Sequence, residues 1–227
     1  MTVEKGYSGA DYWDDYFETS LKSDSTRRSG ERIWLTCFLP TLRAAGARSV
    51  LDLGCGSGAD ALELARQGFR TSGIDLALEA LKHAREGAAA EELALHLALA
   101  DVAAPLPFAA SRFDAVLCNL TLHMFPEDLA AKIVAEVARC LKPGGLFLLH
   151  VNATEDIPYR IAQQQPARRL RENFYCLGKG QTMRFFSEAC CRRLLADWEL
   201  RSLTRAQSRN AKNEILKIAW RCVAAKR

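Results

Sequence analysis

The chain has 227 residues, 49% hydrophobic and 26% charged, which suits one substantial core and excludes a disordered chain. No apolar run approaches the roughly 18 to 20 residues of a membrane span, and the N-terminus lacks the basic-then-apolar pattern of a signal segment, so no membrane is expected and the expected compartment is the cytoplasm. The net charge of +4 is too small to call for nucleic acid by itself.

That charge is uneven. From Arg160 onward there are 16 Lys and Arg against 5 Asp and Glu, whereas the first twenty residues are acidic. A solvated basic face is the plain explanation; an anionic substrate or an RNA surface is the alternative, with nucleic acid not favoured. The eight cysteines include no C-x-x-C pair and lie mostly in apolar segments, as reduced buried thiols do. Four scattered histidines build no zinc constellation, so no metal is expected.

In chain order, "DYWDDYF" alternates aromatic and acidic residues, and a helix there can cover a ligand or simply dock on the core; Tyr7, also expected to bind the acceptor, and Trp13 are the leading lid residues. "ERIWLTCFLPTLRAAG", residues 31–46, places Trp34, Leu35, Phe38, Leu39 and Leu42 on one helical face, with a kink at Pro40 and a stop at Gly46. "SVLDLG" is a buried strand, "ADALELARQG" a helix, "FRTSGID" a second strand, "LALEALKHAREG" a helix and "LALHLALAD" a third strand. "FDAVLCNLTL" is the fourth strand, "EDLAAKIVAEVARCL" a helix broken by "KPGG", and "LFLLHV" the fifth strand. Such alternation builds a doubly wound α/β fold: a mostly parallel sheet with helices on both faces.

Beyond Asn152 the rhythm changes. Residues 153–186 read as polar, basic and irregular, a substrate cover in which Arg160, Phe174, Tyr175 and Arg184 line an acceptor pocket. Ser187 caps a helix over "EACCRRLLADW", and "ELRSLTRAQS" and "EILKIAWRCVAA" form a terminal antiparallel hairpin around "RNAKN". The expected organisation is a single domain, 1–227, with a helical lid segment at 1–46, a cofactor core at 47–152, the cover at 153–186 and the terminal helix and hairpin at 187–227.

The stretch "VLDLGCGSGAD" fits two nucleotide ligands. Gly54-x-Gly56-x-x-Ala59 satisfies a dinucleotide fingerprint; Asp52-x-Gly54-x-Gly56-x-Gly58 suggests a methyl-donor loop. In both, a strand delivers the chain to a glycine turn that a ligand can approach closely. Charge separates them: Asp52 would repel a pyrophosphate and attract an ammonium or a sulfonium. Asp60, in the first helical turn, reads as a partner of the helix dipole. Asp75 ends the second strand, where an acid accepts from ribose hydroxyls, and Asp101 ends the third, where one can accept from an adenine amino group. Each acid could instead be a strand-end turn residue; three in succession make that less economical.

"VLDLGCGSG", "GIDLA", "LADVAAPLPF", "FDAVLCNLTLHMF" and "LKPGGLFLLHV" resemble, in order and spacing, the motifs of class I S-adenosylmethionine-dependent methyltransferases, over residues 47–152. The resemblance implies a seven-stranded Rossmann-like sheet and S-adenosylmethionine as donor, with S-adenosylhomocysteine as product. It implies that Asp52 and the backbone of Gly54, Cys55, Gly56 and Gly58 face the methionine moiety. Asp75 with Leu76 would face the ribose, Asp101 with Val102 the adenine, and Asn119 would contact the donor through its backbone; Trp13 is expected against the sulfonium. The flanking "DYWDDYF" and "MRFFSEACCRRLLADWEL" look, more loosely, like the tellurite-resistance and thiopurine methyltransferases.

Methyl transfer from a sulfonium is an in-line displacement, so alignment and exclusion of water come first and a base is optional. His123, on the loop after the fourth strand, is the candidate base or orienter; a histidine packed at the top of the following helix is the alternative. The expected acceptor is a small molecule, anionic or planar, and the pattern names neither its identity nor an oligomeric state. An RNA-associated protein of the same fold and an NAD-dependent oxidoreductase are the rival readings.

Overall fold

The computed structural model describes residues 6–23, 33–210 and 213–227, with the side chains of 21–23 and 33 outside that description. The first two residues of the helix expected over 31–46, and residues 211–212 of the expected hairpin turn, lie outside the described residues.

β1 (Ser49–Leu53), β2 (Arg70–Asp75), β3 (Leu95–Leu99), β4 (Phe113–Asn119) and β5 (Leu141–Asn152) are mutually parallel, and β10 (Ile215–Ala225) and β9 (Glu199–Arg209) add an antiparallel hairpin beside β5. The spatial order is β3-β2-β1-β4-β5-β10-β9. Side chains alternate between faces along each strand, so the sheet sorts its apolar residues into two cores. Leu51, Leu53, Val116, Cys118, Phe147 and Leu149 pack with Ile133, Val134 and Val137 of α6 (Glu127–Cys140) on one face. Val50, Ala115, Leu117, Leu146 and Leu148 pack on the other with Trp34, Leu35, Phe38 and Leu42. Helices therefore cover both faces, as the alternating pattern predicts.

The expected long helix before β1 is two short ones, α2 (Ile33–Thr36) and α3 (Leu39–Ala44). Pro40 does not kink a continuous helix; it sits in the first turn of α3, where its missing N–H costs nothing. Before them, α1 (Ala10–Ser23) lies across the start of α5 (Leu78–Ala90), where Asp14 Oδ1 accepts the Glu79 amide at 3.1 Å.

The stretch expected to be irregular is ordered differently. α7 (Ile157–Gln163) leads into a second, three-stranded antiparallel sheet of β6 (Ala167–Arg171), β7 (Phe174–Leu177) and β8 (Gln181–Arg184). Its own small core is Leu177, Met183 and Phe185 with Ile157 and Ile161. The strands are four or five residues long and β6 exposes Arg168, Arg169 and Arg171, so they lack the apolar alternation that announces a strand. The available signals were turns: Asn173 between β6 and β7, and Gly178 and Gly180 between β7 and β8, all at positive φ. This sheet is tied to the N-terminal segment by Ser8, whose Oγ accepts the Thr182 amide (2.9 Å) and donates to the Gly180 carbonyl (3.1 Å). α8 (Glu188–Leu194) follows, capped by Ser187 as expected.

Asp156, fully buried, joins α7 to the hairpin: Oδ1 accepts the Ile218 amide and Oδ2 the Arg160 Nε, each at 2.7 Å. Asp156→Ala would leave two donors without their acceptor in the interior, at a cost of about 3 kcal/mol. A lowered urea midpoint with an unchanged denaturant slope checks this.

Candidate functional site

The order in which successive strands are laid down reverses at β1, with β2 and β3 on one side and β4 and β5 on the other. Open α/β sheets bind ligands outside the carboxyl ends of their strands at such a switch point. The glycine turn sits there. Gly54, Gly56 and Gly58 all have positive φ (73°, 52° and 84°). A Cβ on Gly54 would lie 2.4 Å from Thr121 Oγ1 and Cγ2, and one on Gly56 would lie 3.0 Å from the ring of Phe17 on α1. The Gly54 and Cys55 amides both donate to the Ile74 carbonyl at 2.9 Å, and Gly58 begins α4 (Ala59–Arg66). Cys55 points its thiol inward toward Gly73, so it offers the site only its backbone.

Asp52 is 2% exposed, and its Oδ2 has no hydrogen-bond partner. Burial, then the nearby charges of Asp60 and Asp75, push its pKa well above the usual carboxylate range; the Ala61 amide partly opposes this. Asp75 is also raised, chiefly by burial, although its Oδ2 accepts the Gly56 amide (2.7 Å) and its Oδ1 the Ala77 amide (2.9 Å). Asp101 Oδ1 accepts the Ala103 amide at 2.9 Å, and its Oδ2 accepts the Tyr7 hydroxyl at 2.7 Å. Burial and this bond raise the Tyr7 pKa, and its ring packs 4.8 Å from Phe125. Asp75 and Asp101 thus do close strand-end turns, each with one oxygen, while their second oxygens pin the glycine turn and the N-terminal segment. Leu76 is half-buried beside Asp75, and Val102 is buried beside Asp101.

The aromatic helix is placed over this edge. Trp13 is half-buried, edge-on to Tyr12 and Tyr16 at 5.0 and 5.5 Å, and Phe17 is the ring that meets the glycine turn. Tyr12 is pushed up to about 12, mainly by burial. Tyr7, expected toward the acceptor, is bonded to Asp101 instead.

At the end of β4, Leu120 takes a left-handed conformation (φ 56°), and Asn119 directs its side chain away from the turn to Asp60 and His150. His123 follows in a single helical turn, 2% exposed, with Nδ1 unpartnered. Burial, then Lys217, His150 and Arg160, hold its pKa well below the usual histidine value, so the ring is neutral.

The arginines expected in the acceptor pocket are engaged within the protein. Arg160 donates to Asp156 and to the Leu216 carbonyl (2.9 Å). Arg184 is 6% exposed, pairs with Glu127 at 2.7 Å, donates to Cys190 Sγ at 3.1 Å and lies 4.8 Å over the Phe186 ring. Both act as clamps between elements because burial forces each guanidinium to find fixed partners. Phe174 is buried and Tyr175 packs on Phe185 at 5.8 Å. His83 and His96 are exposed on α5 and β3. Sequence reasoning missed Phe17 and Thr121 as the walls of the turn, and Asp60 as more than a dipole partner. Their contacts join residues far apart in the chain, which no spacing records.

No group of three or more His, Cys, Asp or Glu that could hold a metal is found among the described residues, and none of their helices is long and apolar enough to cross a membrane. Residues 50–145 match the methyltransferase domain family. The chain is 32% identical over 139 residues to a glycine/sarcosine N-methyltransferase of Aphanothece halophytica, covering 60% of this chain and 49% of that protein. It is 40% identical over 114 residues to a ubiquinone biosynthesis O-methyltransferase of Xanthomonas oryzae, covering 50% and 46%. The chain thus spans about half the length of the curated relatives it matches. The fold is shared with the magnesium protoporphyrin IX methyltransferase of Synechocystis, solved with S-adenosylhomocysteine, at a TM-score of 0.71, 17% identity and 96% and 97% coverage.

Gly54→Ala sets a methyl group inside the contact distance of Thr121 at a φ that L residues avoid. The expected cost is about 1–3 kcal/mol, only partly relieved by adding Thr121→Ala, since the Thr121 Cβ would itself remain 2.9 Å away. Thermal unfolding of the single and double variants checks this.

Proposed function

We propose that this chain, whose residues 50–145 are a methyltransferase domain of the class I fold, transfers the methyl group of S-adenosylmethionine to a small-molecule acceptor. One observation carries the donor: Asp52, whose Oδ2 is buried without a partner and whose pKa is raised first by burial and then by two neighbouring carboxylates. Gathering like charges in the interior is costly, and a bound cation offsets the cost. A sulfonium with an attached ammonium fits such a site; a pyrophosphate adds further repulsion. The glycine turn supports the same reading, because Gly54, Gly56 and Gly58 let a ligand reach the backbone.

On this reading Asp52 and the turn backbone hold the methionine moiety, while Asp75 with Leu76 receives the ribose through lone pairs its two amide bonds leave over. Asp101 with Val102 borders the adenine, α1 with Trp13 and Phe17 covers the ligand and excludes water, and Asn119 marks the boundary with the acceptor. The bound donor supplies an electrophilic methyl group; the chain's task is to hold the two reactants in line and dry. The two relatives, a glycine/sarcosine N-methyltransferase and a ubiquinone biosynthesis O-methyltransferase, support a small molecule as the acceptor. A neutral buried His123 suits a hydrogen-bonding wall of that pocket.

Calorimetry tests the donor directly: S-adenosylhomocysteine should bind and NADH should not, and the reverse would refute the assignment. Asp75→Ala removes acceptors for the Gly56 amide and the ribose together, worth about 1.5–3 kcal/mol, so affinity should fall about 10-fold to 150-fold. The sign of the pH effect follows from Asp52. Its raised pKa leaves it protonated at low pH, whereas a cation favours the ionised form. Binding of S-adenosylmethionine should therefore release a proton, tightening as pH rises through the raised pKa and levelling above it. Titrations in buffers of different ionisation enthalpy should show that release in the wild type and lose it in Asp52→Asn.

A further inference from the structure

Beside the glycine turn a chain of hydrogen bonds runs from Asp60 through Asn119 to His150. Trp34 Nε1 (2.9 Å) and Asn119 Nδ2 (2.8 Å) both donate to Asp60 Oδ2. The Asn119 amide has then turned its oxygen to His150, with Oδ1 2.8 Å from Nδ1. An amide oxygen only accepts, so Nδ1 carries the proton, and in the neutral ring Nε2 keeps the lone pair. The ring is neutral: burial first, then Lys217 and Arg221, bring His150 down to about 3. Trp34 stacks on it at 5.3 Å and 13°.

Register places this ring with further polar atoms. Asn119 and His150 are paired across β4 and β5, and Asn152 lies two residues on, so all three share one sheet face at the carboxyl ends. Asn152 is 1% exposed, and its Oδ1, like the Nδ1 of His123, is buried without a hydrogen-bond partner. β8 links these two residues: Asn152 donates to Met183 Sδ at 3.1 Å, and the adjacent Thr182 donates to the Met124 carbonyl at 2.8 Å, next to His123. Two buried polar atoms near an oriented neutral imidazole, Asn152 Oδ1 and His123 Nδ1, are thus available to a ligand. Of the cations that bear on the two rings, Arg160 is paired with Asp156, whereas Arg221, opposite His150 in the β5–β10 register, keeps a buried Nε without a partner, and that cationic donor disfavours an ammonium-bearing acceptor.

We propose that Asp60 and Asn119 are positioning residues that present His150 Nε2 as the proton acceptor of the methyl-accepting group, and that the acceptor is a neutral or anionic hydroxyl compound also hydrogen-bonded to Asn152 Oδ1 and His123 Nδ1. This rests on the methyl-transfer reading above. The hydroxyl gives its proton to Nε2 and forms the new O–C bond with a lone pair; the methyl carbon's bond to sulfur breaks with its electron pair left on sulfur. One positive charge leaves the sulfonium as one appears on the imidazole, which then passes its proton to solvent.

The test uses the full chain labelled with ¹⁵N-histidine, read by NMR, with S-adenosylhomocysteine and catechol as probes. In the free protein His150 should show the Nδ1–H tautomer, and Asp60→Asn should mix the tautomers. With S-adenosylhomocysteine bound, catechol should shift the Nε2 resonance upfield, and benzylamine should bind at least about tenfold more weakly than catechol, about 1.4 kcal/mol. His150→Gln should weaken catechol by a similar factor and leave S-adenosylhomocysteine affinity unchanged. An Nε2–H tautomer, an Nε2 signal indifferent to catechol, or benzylamine binding as tightly as catechol would each overturn the proposal. Failure of S-adenosylhomocysteine to bind would instead remove the donor reading, and the tautomer of the free protein separates the two failures.

Discussion

Crowding of carboxylates at the ends of β1 and β2 is the constraint around which the site is arranged. Asp60 and Asp75 both bear on the buried Asp52, and the three acids are accommodated differently. Asp60 accepts from Trp34 and Asn119, Asp75 from two backbone amides, and Asp52 retains an oxygen with no donor. That inequality makes the site polarised: the two satisfied acids hold the architecture, and the unsatisfied one carries an oxygen with no donor. Nothing in the local sequence distinguishes the three roles, since all are aspartates at strand ends or in a first helical turn.

The glycine turn works under the same pressure. Its three residues with positive φ let the backbone pass under Thr121 on one side and Phe17 on the other, so the turn is walled by the loop after β4 and by the N-terminal helix. Asp75 then holds it through the Gly56 amide. Cover, turn and sheet are consequently one mechanical unit, and the small antiparallel sheet joins it through Ser8 and Thr182. The N-terminal segment and the insertion after β5 are thereby tied together.

Most buried polar groups outside the donor edge are likewise spent on joining elements. Arg184 binds α6 to α8, and Asp156 with Arg160 binds α7 to β10. A basic residue in a polar insertion invites a ligand role when read in isolation, but burial changes the physics: a guanidinium shielded from water takes protein partners first. The polar atoms that remain unsatisfied there are Asn152 Oδ1, His123 Nδ1 and the Nε of Arg221, a mix of neutral groups and one cation.

The sequence by itself determined the doubly wound sheet, its strand order of appearance, the terminal hairpin and the row of strand-end acids, because each rests on short-range hydrophobic periodicity and turn chemistry within one element. It also located the glycine turn to the residue, since positive φ leaves few alternatives to glycine. Tertiary structure alone decided which acid would lack a partner, that Tyr7 would clamp Asp101, and that Asn119 would face Asp60 and His150 rather than the turn. It decided too that residues 167–184 would pair as a sheet, because there backbone hydrogen bonding and a few buried residues outweigh an arginine-rich, non-alternating pattern. Those outcomes depend on contacts between residues 31, 59 or 94 positions apart, where the pattern of neighbouring residues carries no information about distance in space.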